Sequence, residues 1–447
     1  MATSESGHEK SATGTVWLVS GLAAFTNIRL GSLQPEDFVL IVLLAVCLGR
    51  FLARGGYFRI EPSLAWLSKA YLLLIVALGV MAALALRLKF FPLDNASLLK
   101  QPFLFSLSKL VQLAACVCGF LWLANGAAQR TLWLQLTLKA YWLIGIASAV
   151  YSICCWVLVY RLHLTVSPTS LLGAYHPDLT GSSIRVRGFF NEGGPYGIYL
   201  VSVALIGMLQ RKLYGVRLGR ITGTVLLVVF VMAQSKSAFL LALLLLLAFL
   251  ASVSSFRSRM VYLFVSACLI TGVAIQINLL AQLEAYYTAY ENLEQRMSVL
   301  GNDANLVLGR VASAYIIPRM IEAHPITGIG IGNYPLMRND PQYLGKLPAI
   351  LYQEDLPALG ILGEACEIGV PATLFLLVLF CVPFVRCRRY GAAIMLAAIF
   401  QPLAHLLGAQ ITYFYPWLVS ACALGACVQS KKIAIVDSSP SAISEVR

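Results

Sequence analysis

Long apolar runs separated by short polar connections fill most of the chain, and two of the connections are long. Runs suited to spanning helices of about 17 to 25 residues recur at 15–30, 36–50, 68–86, 103–124, 137–159, 195–210, 220–234, 238–255, 260–279, 356–384, 390–408 and 411–428. The pattern predicts an all-α, polytopic integral membrane protein of about twelve transmembrane helices, with residues 1–447 forming one membrane domain. Between the runs stand a smaller polar loop at 160–194 and a large one at 281–355, and a polar tail follows at 429–447. Inside the large loop, Leu283, Tyr286, Tyr287, Tyr290, Leu293, Met297 and Leu300 recur at helical spacing with Glu284, Glu291 and Glu294 between them. That periodicity predicts an amphipathic helix lying along the membrane surface. Gly301-Asn302-Asp303 breaks it, and Asn302 or Asp303 can cap a second helix running to about Ala323, bent near Pro318. The stretch HPITGIGIGNY at 324–334 reads as a turn. No βαβ unit precedes its alternating glycines, so tight backbone turning explains them better than a nucleotide site.

Composition excludes a soluble protein: 59% of the residues are hydrophobic, 12% are charged, and the mean hydropathy is +0.79. A net charge of +13 would point to nucleic acid in a soluble chain. Here many of the cations fall in short connections: Arg50/Arg54/Arg59, Arg130/Lys139, Arg211/Lys212/Arg217/Arg220, Arg257/Arg259, Arg386/Arg388/Arg389 and Lys431/Lys432. Anionic lipids and insertion topology account for such placement, and no nucleic-acid partner is expected. With twelve spans all six groups fall on one side, which the positive-inside rule makes the cytoplasm, with both termini there. The loops at 160–194 and 281–355 then face outward, and 429–447 is a cytoplasmic tail. The first residues, MATSESGHEK, lack a basic leader region, so an uncleaved first helix is expected. The eleven cysteines lie in or beside apolar segments, with no C-x-x-C pair and no disulfide framework, and read as small packing residues. No metal or cofactor is expected.

Three motifs carry a family resemblance: RVRGFFNEGGPYG at 185–197, QSKSA at 234–238, and GR...IIPRMIEAHPITGIGIGNYP at 309–335. In order and spacing they resemble the O-antigen ligase and O-antigen polymerase superfamily of bacterial membrane glycosyltransferases. The resemblance spans roughly 185–384. It implies a fold of the glycosyltransferase-C type in the bacterial inner membrane, with a large helical periplasmic loop and a periplasmic active site. It also implies transfer of a glycan from an undecaprenyl-diphosphate carrier to a glycan or lipid acceptor, without metal or nucleotide sugar, among membrane lipids. A flippase and a chain-length regulator are the expected protein partners.

The residues fit that chemistry on their own terms. A departing lipid diphosphate concentrates negative charge, and guanidinium forks hold such charge bidentately in a partly dehydrated site. Arg187 and Arg310 align with the family's arginine positions, and Lys236 replaces the arginine common in its S-R-S-A turn. A cation centred between two apolar runs costs about 2.5 to 3.5 kcal/mol, which calls for a partner; alternatively Lys236 snorkels at the end of a hairpin. Arg185 either joins the site or snorkels to headgroups, and Arg319 either contacts substrate or pairs with Glu322 one turn on. Arg296 and Arg338 fit solvated loop charges.

An acceptor hydroxyl must also lose a proton, so a base should stand within hydrogen-bond reach. Ligases of the family use a histidine from an H-N pair shortly before an E-x-G motif. Here that motif is Glu367-Ile368-Gly369, and Ala358 stands at the histidine position. The departure favours a polymerase, which joins lipid-linked repeat units, over a ligase transferring glycan to lipid A core. Glu354, Asp355 and Glu364 are candidate bases; Glu354 and Asp355 equally suit a helix N-terminus through its dipole, and Glu367 suits helix packing. His324 and His405 read as structural, and His176 is an outlying candidate. The loop tyrosines suit sugar stacking or interfacial anchoring. A flippase has a similar span count, but no inverted repeat and few mid-membrane acids are visible; a non-catalytic envelope scaffold is the third class.

Overall fold

Proline opens several of the helices, because its missing N–H is harmless in the first turn and its fixed φ suits the helix. The computed structural model describes residues 13–25, 35–53, 60–86, 102–160, 162, 186–190, 193–216, 219–252, 310–345, 347 and 360–437, with single positions at 260, 264, 267, 271, 284, 287–288 and 290–292. The first eight helices are α1 (Thr13–Leu22), α2 (Pro35–Ala53), α3 (Pro62–Leu86), α4 (Pro102–Gln129), α5 (Thr131–Tyr160), α6 (Gly193–Tyr214), α7 (Arg220–Met232) and α8 (Lys236–Ser252). After them come α9 (Arg310–Ala323), the single-turn α10 (Tyr334–Met337) and α11 (Pro341–Leu344), then α12 (Gly360–Ile368), α13 (Val370–Cys387), α14 (Ala392–Leu406) and α15 (Phe414–Asp437). No strand occurs among the described residues. Among the described residues, five helices are long and apolar enough to cross a membrane: α3, α4, α5, α6 and α13. Shorter apolar helices are α1, α2, α7, α8 and α14.

The apolar runs and the helices coincide with two instructive differences. The run at 356–384 predicts one helix, whereas the chain breaks at Gly369 into α12 and α13. Gly369 takes φ +82°, a conformation that glycine reaches without penalty and that ends a helix. The first run, 15–30, forms a helix only to Leu22. The segment 260–279, the amphipathic helix of 283–300 and the cap at Asn302 or Asp303 lie largely outside the described residues. The second loop helix is present as α9, and it carries Pro318 internally before ending at Ala323.

Helix α4 occupies the centre, packed by α2, α3, α5 and α15, while α15 also packs on α13, α14, α5 and α6. Lipid tails are as apolar as the side chains, so close packing drives association within a membrane. Gly119 provides it on α4: an added Cβ would stand 2.6 Å from Leu40 and 2.9 Å from the Phe414 ring. Trp417 anchors the core, its ring 5.5 Å from Tyr71, 5.8 Å from Phe120 and 5.1 Å from Phe380, with Nε1 donating to the Ile411 carbonyl at 2.9 Å. A second, smaller core lies within the loop region, where Ile316, Ile317, Met320, Tyr334 and Tyr343 close on Cys366 of α12.

The bundle has two polar ends of different chemistry. At one, Lys432 lies 3.8 Å from Glu61 and donates to the Ala128 carbonyl, the Arg386 guanidinium caps the Ser63 carbonyl, and Tyr214 reaches Thr131. That end gathers the basic connections around Arg130, Arg211 and Arg386. The opposite end carries the α2 and α4 N-termini, residues 186–197, the α7–α8 turn, the loop core and the α14–α15 turn.

Candidate functional site

At this second end, three short segments fold together around the start of α6. The Val186 N–H donates to Met232 O at 3.3 Å, which ties the Arg187 loop to the end of α7. The Ser235 hydroxyl donates to the Gly194 carbonyl at 2.9 Å and accepts the Ala238 N–H at 3.2 Å, capping α8 while gripping α6. Gly197 admits that contact, since a Cβ there would stand 2.5 Å from Ser235. Arg187 and Lys236 are thus carried by segments bonded to each other, beside the N-termini of α6 and α8, where backbone dipoles add positive potential. Arg187 is half-buried next to Tyr151, and Phe189 stacks on Phe25 at 4.5 Å.

Across the same end, the glycine turn and the α12–α13 break form a clasp. Ile329 N–H donates to Cys366 O (3.0 Å), Gly330 N–H to Glu367 O (2.9 Å), and Val370 N–H to Pro325 O (2.9 Å). The Glu367 carboxylate accepts the Gly332 N–H at 2.8 Å and the Tyr334 N–H at 3.3 Å. Ser106 of α4 donates to Ile331 O at 2.9 Å. A Cβ on Gly328 would overlap the Glu367 carbonyl, and one on Gly369 the Ile326 carbonyl, so two backbones meet where no side chain fits.

Glu364 sits one turn before Glu367 on α12. It accepts a backbone N–H from Ile411, while its Oε2 is sealed from solvent with no hydrogen-bond partner among the described residues. Burial raises both carboxyls: Glu367 to about 7, against the two amides and the Lys109 cation, and Glu364 well above the carboxylate range, with the negative charge of Glu367 adding to burial. The two halves meet at the α14–α15 turn. Phe190, three residues from Arg187, packs on Tyr415 at 5.8 Å; Tyr415 stacks on Tyr413 at 6.1 Å; Ile411 holds Glu364.

Of the residues singled out by sequence, Arg187, Lys236, Glu364 and Glu367 belong to this end. Arg319 turns to its own helix, donating to Tyr315 O at 2.9 Å with its guanidinium 3.6 Å from the Tyr315 ring, and not to Glu322. His324 Nε2 lies 2.9 Å from the Tyr343 hydroxyl, a structural setting. Arg310 opens α9. Arg185, His176, Glu354, Asp355 and Ala358 lie outside the described residues.

Sequence reasoning passed over Lys109. Its Nζ donates to Gln112 Oε1 at 3.0 Å, and Gln112 donates to Asp37 at 3.1 Å. A single lysine in the 28-residue apolar α4 was the available signal, the same that marks Lys236. Arg338, grouped by sequence with the solvated charges, is only 1% exposed, inside the loop core near Tyr334. Among the described residues no three His, Cys, Asp or Glu side chains converge.

Fold and composition define a helical membrane protein with a polar, cation-bearing site at one end. Residues 221–377 match the family described as O-antigen ligase, the superfamily that the three sequence motifs resemble. The matched stretch holds Lys236, Arg310, Arg319 and both glutamates; the motif at 185–197 precedes it. No curated protein matches the chain.

Proposed function

We propose that the chain is a glycosyltransferase of the bacterial inner membrane that moves a glycan from an undecaprenyl-diphosphate carrier onto another lipid-linked repeat unit, acting as a polymerase at its periplasmic end. The observation that carries this reading is the joining of Arg187 and Lys236 through the α6 N-terminus, opposite paired carboxylates. Arg187 and Lys236, with Arg310 and Arg185, hold the diphosphate as negative charge builds on the leaving oxygen, and the low local dielectric strengthens that hold. Neither cation changes protonation in the step; they orient the donor and stabilise its departure. The acceptor hydroxyl enters from the carboxylate side.

Alanine at the family's histidine position, 358, supports chain polymerisation. The family description as O-antigen ligase supports the second reading, transfer to lipid A core. Purified protein supplied with lipid-diphosphate oligosaccharide alone separates the two: ladders of longer glycan support the polymerase, and product formed only after core acceptor is added overturns it. Arg187→Ala and Lys236→Ala are expected to lower transfer at least about 100-fold, in line with the loss of a preorganised charge contact. In cells, lipid-linked single repeats then accumulate outside; accumulation inside points to a flippase.

A further inference from the structure

Some cations at the basic end are tied into the fold. Lys432 reaches the Ala128 carbonyl and Glu61, and the Arg386 guanidinium caps the Ser63 carbonyl and lies 5.2 Å from the centroid of the Trp66 ring. Four others are not. Arg211 and Lys212 lie in the last turn of α6, and Arg388 and Arg389 follow α13; all four are exposed, and among the described residues none of their side chains has a hydrogen-bond or ion-pair partner. The two pairs come to one corner at Gly391, two residues after Arg389, where a Cβ would stand 3.7 Å from Cε of Lys212. Cations past a helix end suit its dipole, but that effect does not require two helices to deliver them to the same place, where they repel one another unless an anion joins them. The surface of α13 indicates what kind of anion. Leu374, Val378, Cys381 and Val385 recur at helical spacing and are exposed, the two valines at 61% and 59%, and the same face continues to Arg388 and Arg389. Because α13 is long and apolar enough to span the bilayer, that stripe meets acyl chains. A molecule with apolar chains and a negative head matches both parts, whereas a free anion matches only one.

We propose that the corner between the end of α6 and the α13–α14 turn binds the headgroup of an anionic glycerophospholipid that carries two phosphates. Arg388 and Arg389 supply guanidinium forks, Lys212 and Arg211 close the corner from α6, and the acyl chains lie along Leu374, Val378 and Val385. Two phosphates balance more of the four positive charges than the single phosphate of an ordinary anionic lipid. The site lies at the end opposite Arg187 and Lys236 and does not depend on the transfer reading.

The test titrates full-length protein in neutral detergent with diphosphatidylglycerol, phosphatidylglycerol and inorganic pyrophosphate, with bound lipid counted by native mass spectrometry. Diphosphatidylglycerol is expected to bind at least about tenfold more tightly than phosphatidylglycerol, and pyrophosphate is expected to leave it bound. Arg388→Gln/Arg389→Gln is expected to weaken it at least about tenfold, whereas Lys69→Gln/Lys139→Gln, which removes the same charge from exposed positions on α3 and α5, changes it by less than about threefold. Should the first double variant fail to fold, Lys212→Gln serves in its place, with a loss of about fivefold expected. Equal losses in the two double variants would reduce the corner to general surface attraction and overturn the inference. Equal affinity for the two lipids, or an unchanged Lys212→Gln, does so as well. Displacement by pyrophosphate would mark a site for a soluble anion, and a polyprenyl diphosphate that outcompetes diphosphatidylglycerol would assign the corner to the glycan carrier; either result sinks the proposal.

Discussion

Gly328 and Gly215 share nearly the same backbone, φ +63° and +68°, yet stand in opposite surroundings. A Cβ on Gly215 meets nothing within 4 Å, whereas one on Gly328 overlaps the carbonyl of Glu367. Alanine at either position carries the left-handed penalty of about 1 to 2 kcal/mol, and only at 328 must two backbones also part. Gly328→Ala is therefore expected to lower the melting temperature clearly more than Gly215→Ala and to open the 324–345 region to protease. Equal effects would mean that the close approach contributes nothing. This distinction was not visible in sequence. The alternating glycines announced a tight turn, but what they turn against lies some forty residues along the chain, and only tertiary structure supplies it. The same limit hid Lys109 and Arg338: a cation's type and segment are legible, while its neighbours are not.

At the scale of elements, the break between α12 and α13 is what fastens the loop to the bundle. Hydropathy ran through 356–384 without interruption because glycine and proline are tolerated in apolar runs, so the break left only the Gly369-Val370-Pro371 signature to read. Most other elements were legible from apolar periodicity alone, since spanning length and hydropathy leave few alternatives. The fastening titrates. Glu367 rises from 4.5 to about 7 through burial, so the folded protein holds a proton that the unfolded chain has released between those values. Its contribution to stability is fully present below about 4.5 and is lost as pH rises through about 7. The groups that set this are Glu364 on the same helix, Lys109 from α4, and the amides of Gly332 and Tyr334 from the turn. Melting temperature is expected to fall between pH 5 and pH 8 in wild type (about the span of that titration) and to fall less in Glu367→Gln, which cannot ionise. An unchanged slope in the variant would assign the pH dependence to other groups.

For the whole molecule, function depends on which end faces the cytoplasm. Charge counting along the sequence put the basic connections on one side, and the helices bring Arg386, Lys432 and Glu61 together at one end, with Arg187, Lys236 and the clasp at the other. A bundle with opposite chemistry at its two ends has one favourable orientation, because anionic cytoplasmic lipids attract the basic end by about 1 kcal/mol for each Lys or Arg near the surface. Ile326, 61% exposed on the glycine turn, and Arg388, exposed after α13, report the two ends. In a cysteine-free background, Ile326→Cys is expected to react with an impermeant maleimide in intact spheroplasts, and Arg388→Cys only after lysis. The reverse pattern would turn the cation-bearing end toward the cytosol, where an outward-facing lipid-linked glycan never meets it. Arg187 and Lys236 would then need another substrate.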